Sequence, residues 1–501
     1  ACHSVTLKWH DSISQIRTIF LMPIEALQLS VFIIITVIIA WLTYRKVTAD
    51  IAQQGGRGTG RDEVFLAGKG LSWVVVAGSI TLTNLSTDQL VGMNGNQMAL
   101  LAWWELSAVV GLVILAKVIL PVYYRYNCTT TTELLERRYD DRRIRAVIGL
   151  LFLLGNVFIF IPAMLYGGSL FIQTMFSVDI PLMWIAIAFA IVGSAYAVLG
   201  GLRAVAVSDA YSGVLLLSLG LVVVGLSLSA IDFDFSGIPA DRLTMIGDDS
   251  SPIPWHTLLT GMIFIQIFYW GTNQTITQRA MASPTVKEGQ RGVLAAAAIR
   301  LLVIPPLVVI PGIVSYKLYG DIGDAAFGTI VGDVLPVWLS GAFAAAIAAA
   351  VLTSVNSVLN SSTTLWVCDI HEPFINPEAN LKQLNLRITV VLIVMGLAMV
   401  PVYATADSII NLVQELYGLL SMPILSAFIV GLLFRGVAAG AAITAVVLGV
   451  ALYGFFSFVW SPFHYIHMMF FTVVFCVVSA LLVSKLWFKT QPSFEPAIGF
   501  G

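Results

Sequence analysis

The chain contains few charged residues for its length. Asp, Glu, Lys and Arg make up 11% of its 501 residues, whereas 58% are hydrophobic and the mean hydropathy is +0.90. Soluble globular domains average about 25% charged residues, so this composition excludes that class and indicates a surface that faces lipid. The sequence therefore predicts an all-α, polytopic membrane protein.

Cysteine is scarce as well, with four residues in the chain. Cys128 and Cys368 lie in predicted cytoplasmic loops, Cys476 lies in the last predicted helix, and Cys2 lies on the predicted extracellular side of the membrane. Because no two of them share an oxidising compartment, we expect no disulfide framework.

The sequence also lacks the motifs of an enzyme. It has no cluster of histidines and carboxylates at metal-ligand spacing, no nucleophile motif and no phosphate-binding loop, so we expect no catalytic activity. His464 and His467 stand near the predicted outer end of the last helix. A metal would need further ligands there, and we expect the two histidines to serve the helix end at the membrane interface.

Long apolar stretches recur along the whole chain. A helix needs about 20 residues to cross a hydrocarbon core of roughly 30 Å, and thirteen stretches meet this requirement. They lie near residues 27–44, 73–93, 101–121, 146–176, 180–200, 204–230, 256–274, 292–315, 336–366, 386–405, 409–434, 438–458 and 464–488. Most Lys and Arg residues fall in alternate loops between them, which the positive-inside rule assigns to the cytoplasm. This predicts a multi-pass protein of the cell membrane with its N-terminus outside and its C-terminus inside.

Two of these helices contain unusually polar segments. The run Thr83–Gln89 interrupts the second predicted helix. An unpaired backbone group in hydrocarbon costs several kcal/mol, so a spanning helix can unwind only where it is buried in protein or lines a wet cavity. The second polar segment lies within Ala344–Trp366 and carries Thr353, Ser354, Asn356, Ser357, Asn360, Ser361 and Ser362. Freed carbonyls beside such hydroxyls predict a site for a hard cation.

Ten of the predicted helices divide into two halves of five, 73–230 and 256–434. The first helix of each half has an interruption, at Asn84–Gln89 and at Tyr269–Gln274. This pattern is typical of inverted-repeat transporters, whose discontinuous helices bind substrate and ion near the membrane midplane. The second interruption has an alternative interpretation as a helix end at the cytoplasmic interface. The predicted divisions are an N-terminal segment with one extra helix (1–72), the first repeat (73–231), an extracellular loop (232–255), the inverted second repeat (256–434), and two C-terminal helices with a tail (435–501).

Glu105, Asp209 and Arg300 are charged residues that fall within predicted membrane helices. Charges inside a membrane are costly unless they are paired or hydrated, and they mark functional sites by default. A purely structural ion pair between Glu105 and Arg300 is the alternative for those two residues.

Several short motifs occur in order along the chain. They are Phe65–Lys69, Asn84–Gly92, Gly200–Val205, Ser208–Asp209, Tyr269–Gln274, Gln278–Arg279 and Asn356–Ser361. Together they resemble the sodium:solute symporter family, and within it most closely the bacterial sodium/sugar (sodium/galactose-type) symporters. The resemblance runs from about Phe65 to Leu433. It implies an inverted-repeat core of five plus five helices (LeuT-type) and sodium-coupled import of a monosaccharide or similar polyhydroxylated solute by alternating access.

The resemblance implies a sodium site between the first break and the polar helix. Its ligands are expected at Leu82, Leu85, Ala350, Thr353 and Ser354. The spacing of Thr353 and Ser354 suits this role, because their hydroxyls would face carbonyls freed by the break. The plainer alternative is that these hydroxyls bond carbonyls of their own helix. Asp209 is expected on the intracellular ion path.

The same resemblance implies a solute site. Substrate contacts are expected at Gln89, Glu105, Gln266, Arg300 and Gln414, with gates at Met93, Trp104 and Tyr269. The chain departs from the best-known sugar carriers of the family at two of these positions, since Gln266 replaces an Asn and Arg300 replaces a Lys.

Three hypotheses for function follow from these residues. The first is a sodium-coupled sugar transporter, whose partners are Na⁺, a small solute and the lipid bilayer, without nucleic acid. The second is a sodium symporter of a carboxylate or amino-acid-like solute, in which Arg300 would hold the carboxylate as a fork. The third is a non-transporting sensor built on the same fold.

Overall fold

The computed structural model describes residues 3–53, 65–378 and 381–497, which form a helical protein. The helices of the first half are α1 (His3–Gln53), α2 (Trp73–Asn84), α3 (Thr87–Gly95), α4 (Trp103–Ile114), α5 (Leu120–Arg125), α6 (Thr131–Tyr139), α7 (Arg142–Gly155), α8 (Ile161–Met175) and α9 (Leu182–Ala230). Short π-helical segments, Leu115–Ile119 and Asn156–Phe160, join α4 to α5 and α7 to α8.

The second half continues the same architecture. Its helices are α10 (Ala240–Leu243), α11 (Gly261–Gly271), α12 (Gln274–Met281), α13 (Val286–Leu302), α14 (Ile304–Tyr319), α15 (Ala326–Val334), α16 (Val337–Leu365), α17 (Glu372–Phe374), α18 (Leu381–Tyr403), α19 (Ile409–Leu433), α20 (Ala439–Phe458) and α21 (Tyr465–Leu486). Strands β1 (Phe434–Arg435) and β2 (Ser493–Phe494) pair antiparallel. This pairing returns the chain after α21 to the end of α19.

The membrane spans agree with the predicted pattern. Ten helical segments among the described residues are long and apolar enough to cross a membrane, and three shorter apolar helices, Trp73–Asn84, Leu182–Ser194 and Gly261–Gly271, occupy the remaining predicted positions. Sequence analysis did not foresee helices α6 and α15, which lie in regions predicted to be loops.

The fifth and sixth predicted spans fall within one assigned helix, α9. They are nevertheless separate crossings, because Gly193 packs against Val355 and Asp209 lies beside Thr353 of the same helix, α16. A straight helix would separate Gly193 from Asp209 by roughly 24 Å. The chain therefore turns back between them.

Both predicted helix breaks are present. The first break lies at Leu85–Ser86, between α2 and α3, and the second at Thr272–Asn273, between α11 and α12. All eight residues of α12 are buried. The second break is therefore a true interruption inside the protein, and the alternative of a helix end at the membrane interface does not hold.

Helix α16 lies at the centre of the bundle. It packs against both crossings of α9 and against α2, α8 and α12, and most of its residues are buried. The predicted five-plus-five inverted-repeat arrangement (LeuT-type) is confirmed, with α1 before it and α20 and α21 after it.

The described cysteines are buried and free, at Cys128, Cys368 and Cys476. Cys368 belongs to the π-helical segment Trp366–His371 rather than to an exposed loop. That segment directly follows α16, and Cys368 is buried in it. Cys2 lies outside the described residues, as do Arg57 and Arg61 of a predicted cytoplasmic loop.

Candidate functional site

A cavity lies where the two helix breaks approach each other. It is lined from the first break by Asn84, Ser86, Asp88 and Gln89, from α11 by Ile265, Gln266, Tyr269 and Trp270, from α19 by Ile410, Val413, Gln414 and Tyr417, and by Trp104, Phe160 and Met164. The predicted substrate residues Gln89, Gln266 and Gln414 are thus brought together with two predicted gates. The third predicted gate, Met93, is buried in α3 and is not among the lining residues.

Glu105 and Arg300 form a buried ion pair behind the cavity wall. Both side chains are fully buried, and Arg300 Nη1 donates to Glu105 Oε2. Gln89 Nε2 donates to Glu105 Oε1 at 2.5 Å, and the guanidinium lies over the Trp270 ring at 4.6 Å from its centroid. The predicted pair therefore exists, and it reaches the cavity through Gln89 and Trp270.

This wall retains unused hydrogen-bonding capacity. Arg300 Nε and Nη2 and Gln89 Oε1 are buried without a hydrogen-bond partner. Buried polar groups normally find a partner, so these atoms are candidates for direct or water-mediated contact with a polar solute.

The side-chain amide of Gln266 forms hydrogen bonds within the protein through both its nitrogen and its oxygen. Its Nε2 donates to Trp104 O and to Ser107 Oγ, both at 2.9 Å, and its Oε1 accepts from Trp270 Nε1 at 2.9 Å. These bonds hold α11 against α4, so Gln266 fixes the cavity wall as well as lining it.

Aromatic rings close the side of the cavity nearest the second break. Phe160 meets Tyr417 edge to face at a centroid distance of 4.7 Å, and Tyr269 lies 6.1 Å from Tyr417. Asn273, which caps α12, donates to the Tyr417 hydroxyl at 2.9 Å. The break itself therefore positions this aromatic floor.

Asp88 is a cavity residue to which sequence analysis gave no role. It is buried in the first turn of α3, and its Oδ1 accepts from Ser86 Oγ. This hydrogen bond and the N-terminus of α3 partly offset the cost of burying the carboxylate. The sequence signals were its charge within the predicted span 73–93 and its place in the polar run of the first break.

The first break releases backbone oxygen beside α16. Ser86 N donates to Asn84 O at 2.7 Å instead of to Leu82 O, its partner in an unbroken helix. The hydroxyls Thr81 Oγ1 and Ser354 Oγ are buried without a partner. Thr353 Oγ1 donates to Ala349 O at 2.8 Å, as the plainer alternative expected. That bond uses the hydroxyl proton and leaves the oxygen able to ligate a cation.

Asp209 lies fully buried next to this region. Its Oδ2 accepts from Ser79 Oγ at 2.6 Å and from Thr83 Oγ1 at 3.3 Å, whereas its Oδ1 has no partner. The nearby Ser212 hydroxyl is also buried without a partner. Oxygen is the donor type that a hard cation such as Na⁺ requires.

Arg279 lies between the predicted spans 256–274 and 292–315, so the sequence analysis placed it in a loop, and the structure corrects this. The structure buries it completely in α12, where Nη2 lies 3.7 Å from Asp209 Oδ2 and Nε donates to Ser79 Oγ at 2.8 Å. It also donates to Thr275 O and Ser357 Oγ. Arg279 therefore balances the Asp209 charge and ties α12 to α2 and α16.

Comparisons with known proteins are consistent with this geometry. A family model described as "Sodium:solute symporter family" matches residues 64–449. The chain is 33% identical over 496 residues to "Uncharacterized symporter YidK" of Escherichia coli (strain K12), covering 93% of this chain and 85% of that protein. It is 29% identical over 455 residues to "Sodium/glucose cotransporter" of Vibrio parahaemolyticus, covering 83% of each.

Two further comparisons concern a more distant relative and a solved structure. "Sodium/myo-inositol cotransporter 2" of Mus musculus is 28% identical over 445 residues, covering 79% of this chain and 66% of that protein. A solved structure of a substrate-bound, outward-open Na⁺-coupled sialic acid symporter has the same fold, with a TM-score of 0.78, 16% identity, and coverage of 93% of this chain and 98% of that one.

Proposed function

We propose that this chain, which belongs to the sodium:solute symporter family, imports a neutral monosaccharide or a similar polyhydroxylated solute together with Na⁺. It is a sodium-coupled, multi-pass membrane transporter and not an enzyme. The names of two relatives, a sodium/glucose and a sodium/myo-inositol cotransporter, give neutral polyols as the solutes of those proteins, and this supports a solute of the same class here.

The charge of the cavity is the observation that carries the proposal. Among the described residues that line the cavity, Asp88 supplies a carboxylate and none is Lys or Arg. Arg300 lies behind the wall and is already bonded to Glu105. A carboxylate solute would therefore meet an anion at the wall and would compete with Glu105 for the guanidinium. A neutral polyol can instead donate its hydroxyl protons to Asp88 and Gln89 Oε1.

The non-polar part of the wall also suits a sugar. Trp104, Phe160, Tyr269 and Tyr417 present aromatic surface next to the amides of Gln89 and Gln414. Ligand sites of this kind combine apolar area with a few placed polar groups. In this proposal the rings contact the C–H face of the solute, and Tyr269 and Trp104 act as its inner and outer gates.

The sodium site is proposed at the first break. Carbonyl oxygens of Leu82, Leu85 and Ala350 and the hydroxyls of Thr353 and Ser354 would supply its ligands. The support is that Leu82 O is freed from the helix and that Ser354 Oγ lacks a partner. Asp209, with one unpartnered oxygen, would lie on the exit path of the ion.

The proposal includes a topology. The N-terminus is assigned to the outside and the C-terminus to the cytoplasm, because Lys and Arg are concentrated in alternate loops. The repeats are assigned to residues 73–231 and 256–434. Each repeat then contributes one broken helix, and alternating access would move these helices relative to the rest of the bundle.

The test uses purified protein in proteoliposomes and a panel of matched solutes. Sodium-driven uptake of a labelled hexose is competed with neutral hexoses, inositol, the corresponding uronic acids and simple organic acids. We expect neutral solutes to compete at least about tenfold better than uronic acids, because the latter place a charge beside Asp88. Asp88→Asn should reduce this preference and Asp88→Glu should keep it. If simple organic acids competed and neutral sugars did not, the result would favour the carboxylate hypothesis instead.

A further inference from the structure

Two histidines from different elements meet at the start of α11. His256 lies in the 3-10 turn Trp255–Leu259, and His467 lies in the first turn of α21. Their ring nitrogens, His256 Nδ1 and His467 Nε2, are 2.6 Å apart. The ring planes differ by only 6° and the centroids are 4.7 Å apart, so the rings face each other edge to edge, as in an N–H···N bond.

This contact is the middle of a chain of four contacts. At one end, His256 Nε2 lies 2.8 Å from Asp249 Oδ1. At the other end, His467 Nδ1 lies 2.9 Å from Thr260 Oγ1, and Thr260 Oγ1 lies 3.2 Å from Thr257 O. Asp249 is exposed, and its carboxylate, like the Thr257 carbonyl, can only accept, so both ends of the chain of contacts are acceptors.

Counting hydrogens gives the charge state of this chain of four contacts. Four hydrogen bonds need four hydrogens. Two neutral histidines supply one ring hydrogen each and the Thr260 hydroxyl supplies one, which makes three. With neutral rings one of the four contacts has to lose its hydrogen bond. One added proton satisfies all four, and a second added proton would break the central bond because both facing nitrogens would then carry hydrogen.

We propose that His256 and His467 form a binding site for a single proton that joins the outer end of α11 to α21. In the bound state His256 donates to both Asp249 and His467, His467 donates to Thr260, and Thr260 donates to Thr257 O. The separation of 2.6 Å fits a proton. It is too short for a transition metal, which binds two nitrogens at about 2.0 Å each with an angle near tetrahedral.

The surrounding groups favour one positive charge at this place. Asp249 is the facing anion in the loop before α11. On α21, His464 lies next to the two histidines, and burial together with their nearby charge lowers the pKa of His464 to about 4, so it stays neutral. The Asp248 carboxylate is engaged by Ser250 and Ser251, and Glu415 of α19 lies near Tyr465 at the start of α21.

The proton would act on a helix that carries the solute site. Helix α11 holds Gln266 and Tyr269 of the cavity wall. Its first residue, Gly261, lies so close to the Ile466 carbonyl that a Cβ would not fit. The proton therefore adds a tether at a point where α11 and α21 are already in backbone contact.

The experiment is a double-mutant cycle on the purified full-length protein. Thermal unfolding midpoints are measured for the wild type, His256→Gln, His467→Gln and the double variant, each at pH 6 and pH 8, on either side of the usual titration of imidazole. We expect the change in unfolding midpoint of the double variant to differ from the sum of the two single changes by about 2 °C or more at pH 6, and by less at pH 8. A difference that is absent, or that is equal at the two pH values, would overturn the proposal.

Two further measurements keep the result decisive. Amide hydrogen exchange of the wild type, corrected for intrinsic rates, should show less protection at residues 257–261 at pH 8 than at pH 6, and unchanged protection would contradict the proton site without any substitution. Added ZnCl2 should leave the unfolding midpoint unchanged. A midpoint that Zn²⁺ raises in the wild type and not in His256→Gln would identify a metal site instead.

Discussion

Several buried polar side chains at the centre of the bundle have more hydrogen-bonding capacity than the described protein atoms use. Thr81 Oγ1, Ser354 Oγ, Asp209 Oδ1 and Ser212 Oγ are all buried without a partner. Each such oxygen costs about 1–3 kcal/mol unless something satisfies it. All of them are oxygens, and they come from α2, α9 and α16, which meet at the first break. A cation that these oxygens bind would recover that cost.

Ser354→Ala tests this interpretation at a single atom. Removing an otherwise unpartnered oxygen should weaken sodium binding while leaving the fold intact, and we expect the Na⁺ concentration for half-maximal uptake to rise about tenfold. The matched control is Ser426→Ala, since Ser426 is equally buried but donates to Pro423 O in its own helix at 2.6 Å. Uptake with the wild-type sodium dependence in Ser354→Ala would show that Ser354 is not a ligand.

Asp324 gives a prediction about pH and stability. It lies between α14 and α15, and burial raises the pKa of its carboxyl from 3.8 to about 7 although the Ile409 N–H partly opposes the shift. The folded state therefore binds more protons than the unfolded state between these values, and the free energy of unfolding falls as pH rises through that window. Above about pH 7 the destabilisation caused by the ionised Asp324 no longer changes with pH.

Asp324→Asn should remove this pH dependence. Its oxygen can still accept from Ile409, and we expect the variant to be more stable than the wild type by about 1–3 kcal/mol at pH 8 and similar to it near pH 4. The control, Asp321→Asn, loses a pair with Arg242 in which the Asp321 side chain is largely exposed, and it should change stability by less than about 1 kcal/mol. Thermal unfolding across pH 4 to 8 measures both. A wild-type stability that rises over this range relative to Asp324→Asn would contradict the assignment.

At the scale of elements, one buried network of ion pairs joins several helix ends. On the predicted cytoplasmic side, Arg145 of α7 bonds Glu133 and Glu136 of α6 and Asp369 of the π-helical segment that follows α16, at 3.0, 2.8 and 2.7 Å. Asp369 also accepts from Thr130 and Thr132. This network joins three elements around one buried cation.

Arg145→Met should therefore be strongly destabilising. It leaves the carboxylates of Asp369 and Glu133 buried without their cation, which costs about 3–5 kcal/mol. Arg143→Met is the matched control on the same helix, because Arg143 pairs with Asp141 at an exposed position and the loss should be below about 1 kcal/mol. Unfolding midpoints compare the two variants. Equal effects would show that the network does not join the elements energetically.

The elements were largely predictable from the sequence, and their contacts were not. Hydropathy located the ten long apolar helical segments and the three shorter apolar helices, and the cost of an unpaired backbone group in lipid identified both breaks. The partner of a buried charge depends instead on how distant helices pack. Arg279 follows a polar run and looked like a loop residue, yet α12 turns it inward to Asp209. The position of Asp88 beside α11 and α19 likewise depends on the geometry of the break, which the sequence does not specify.

At the scale of the whole molecule, one continuous segment of chain connects the proposed sodium site to the proposed solute site. The break at Leu85–Ser86 separates α2, in which Ser86 N no longer bonds the Leu82 carbonyl, from α3, whose Asp88 and Gln89 line the cavity. An ion that fixes the break therefore fixes the position of the solute ligands. By linkage, the solute must strengthen sodium binding by the same factor.

This reciprocity is the most direct test of the account. Isothermal titration calorimetry on the purified protein measures the affinity for the solute selected by the uptake panel, in Na⁺ and in choline, and the affinity for Na⁺ with and without that solute. We predict that Na⁺ strengthens solute binding about tenfold or more, that the solute strengthens Na⁺ binding by the same factor, and that Ser354→Ala reduces both effects together. Equal solute affinity in Na⁺ and in choline would contradict sodium coupling through the broken helix.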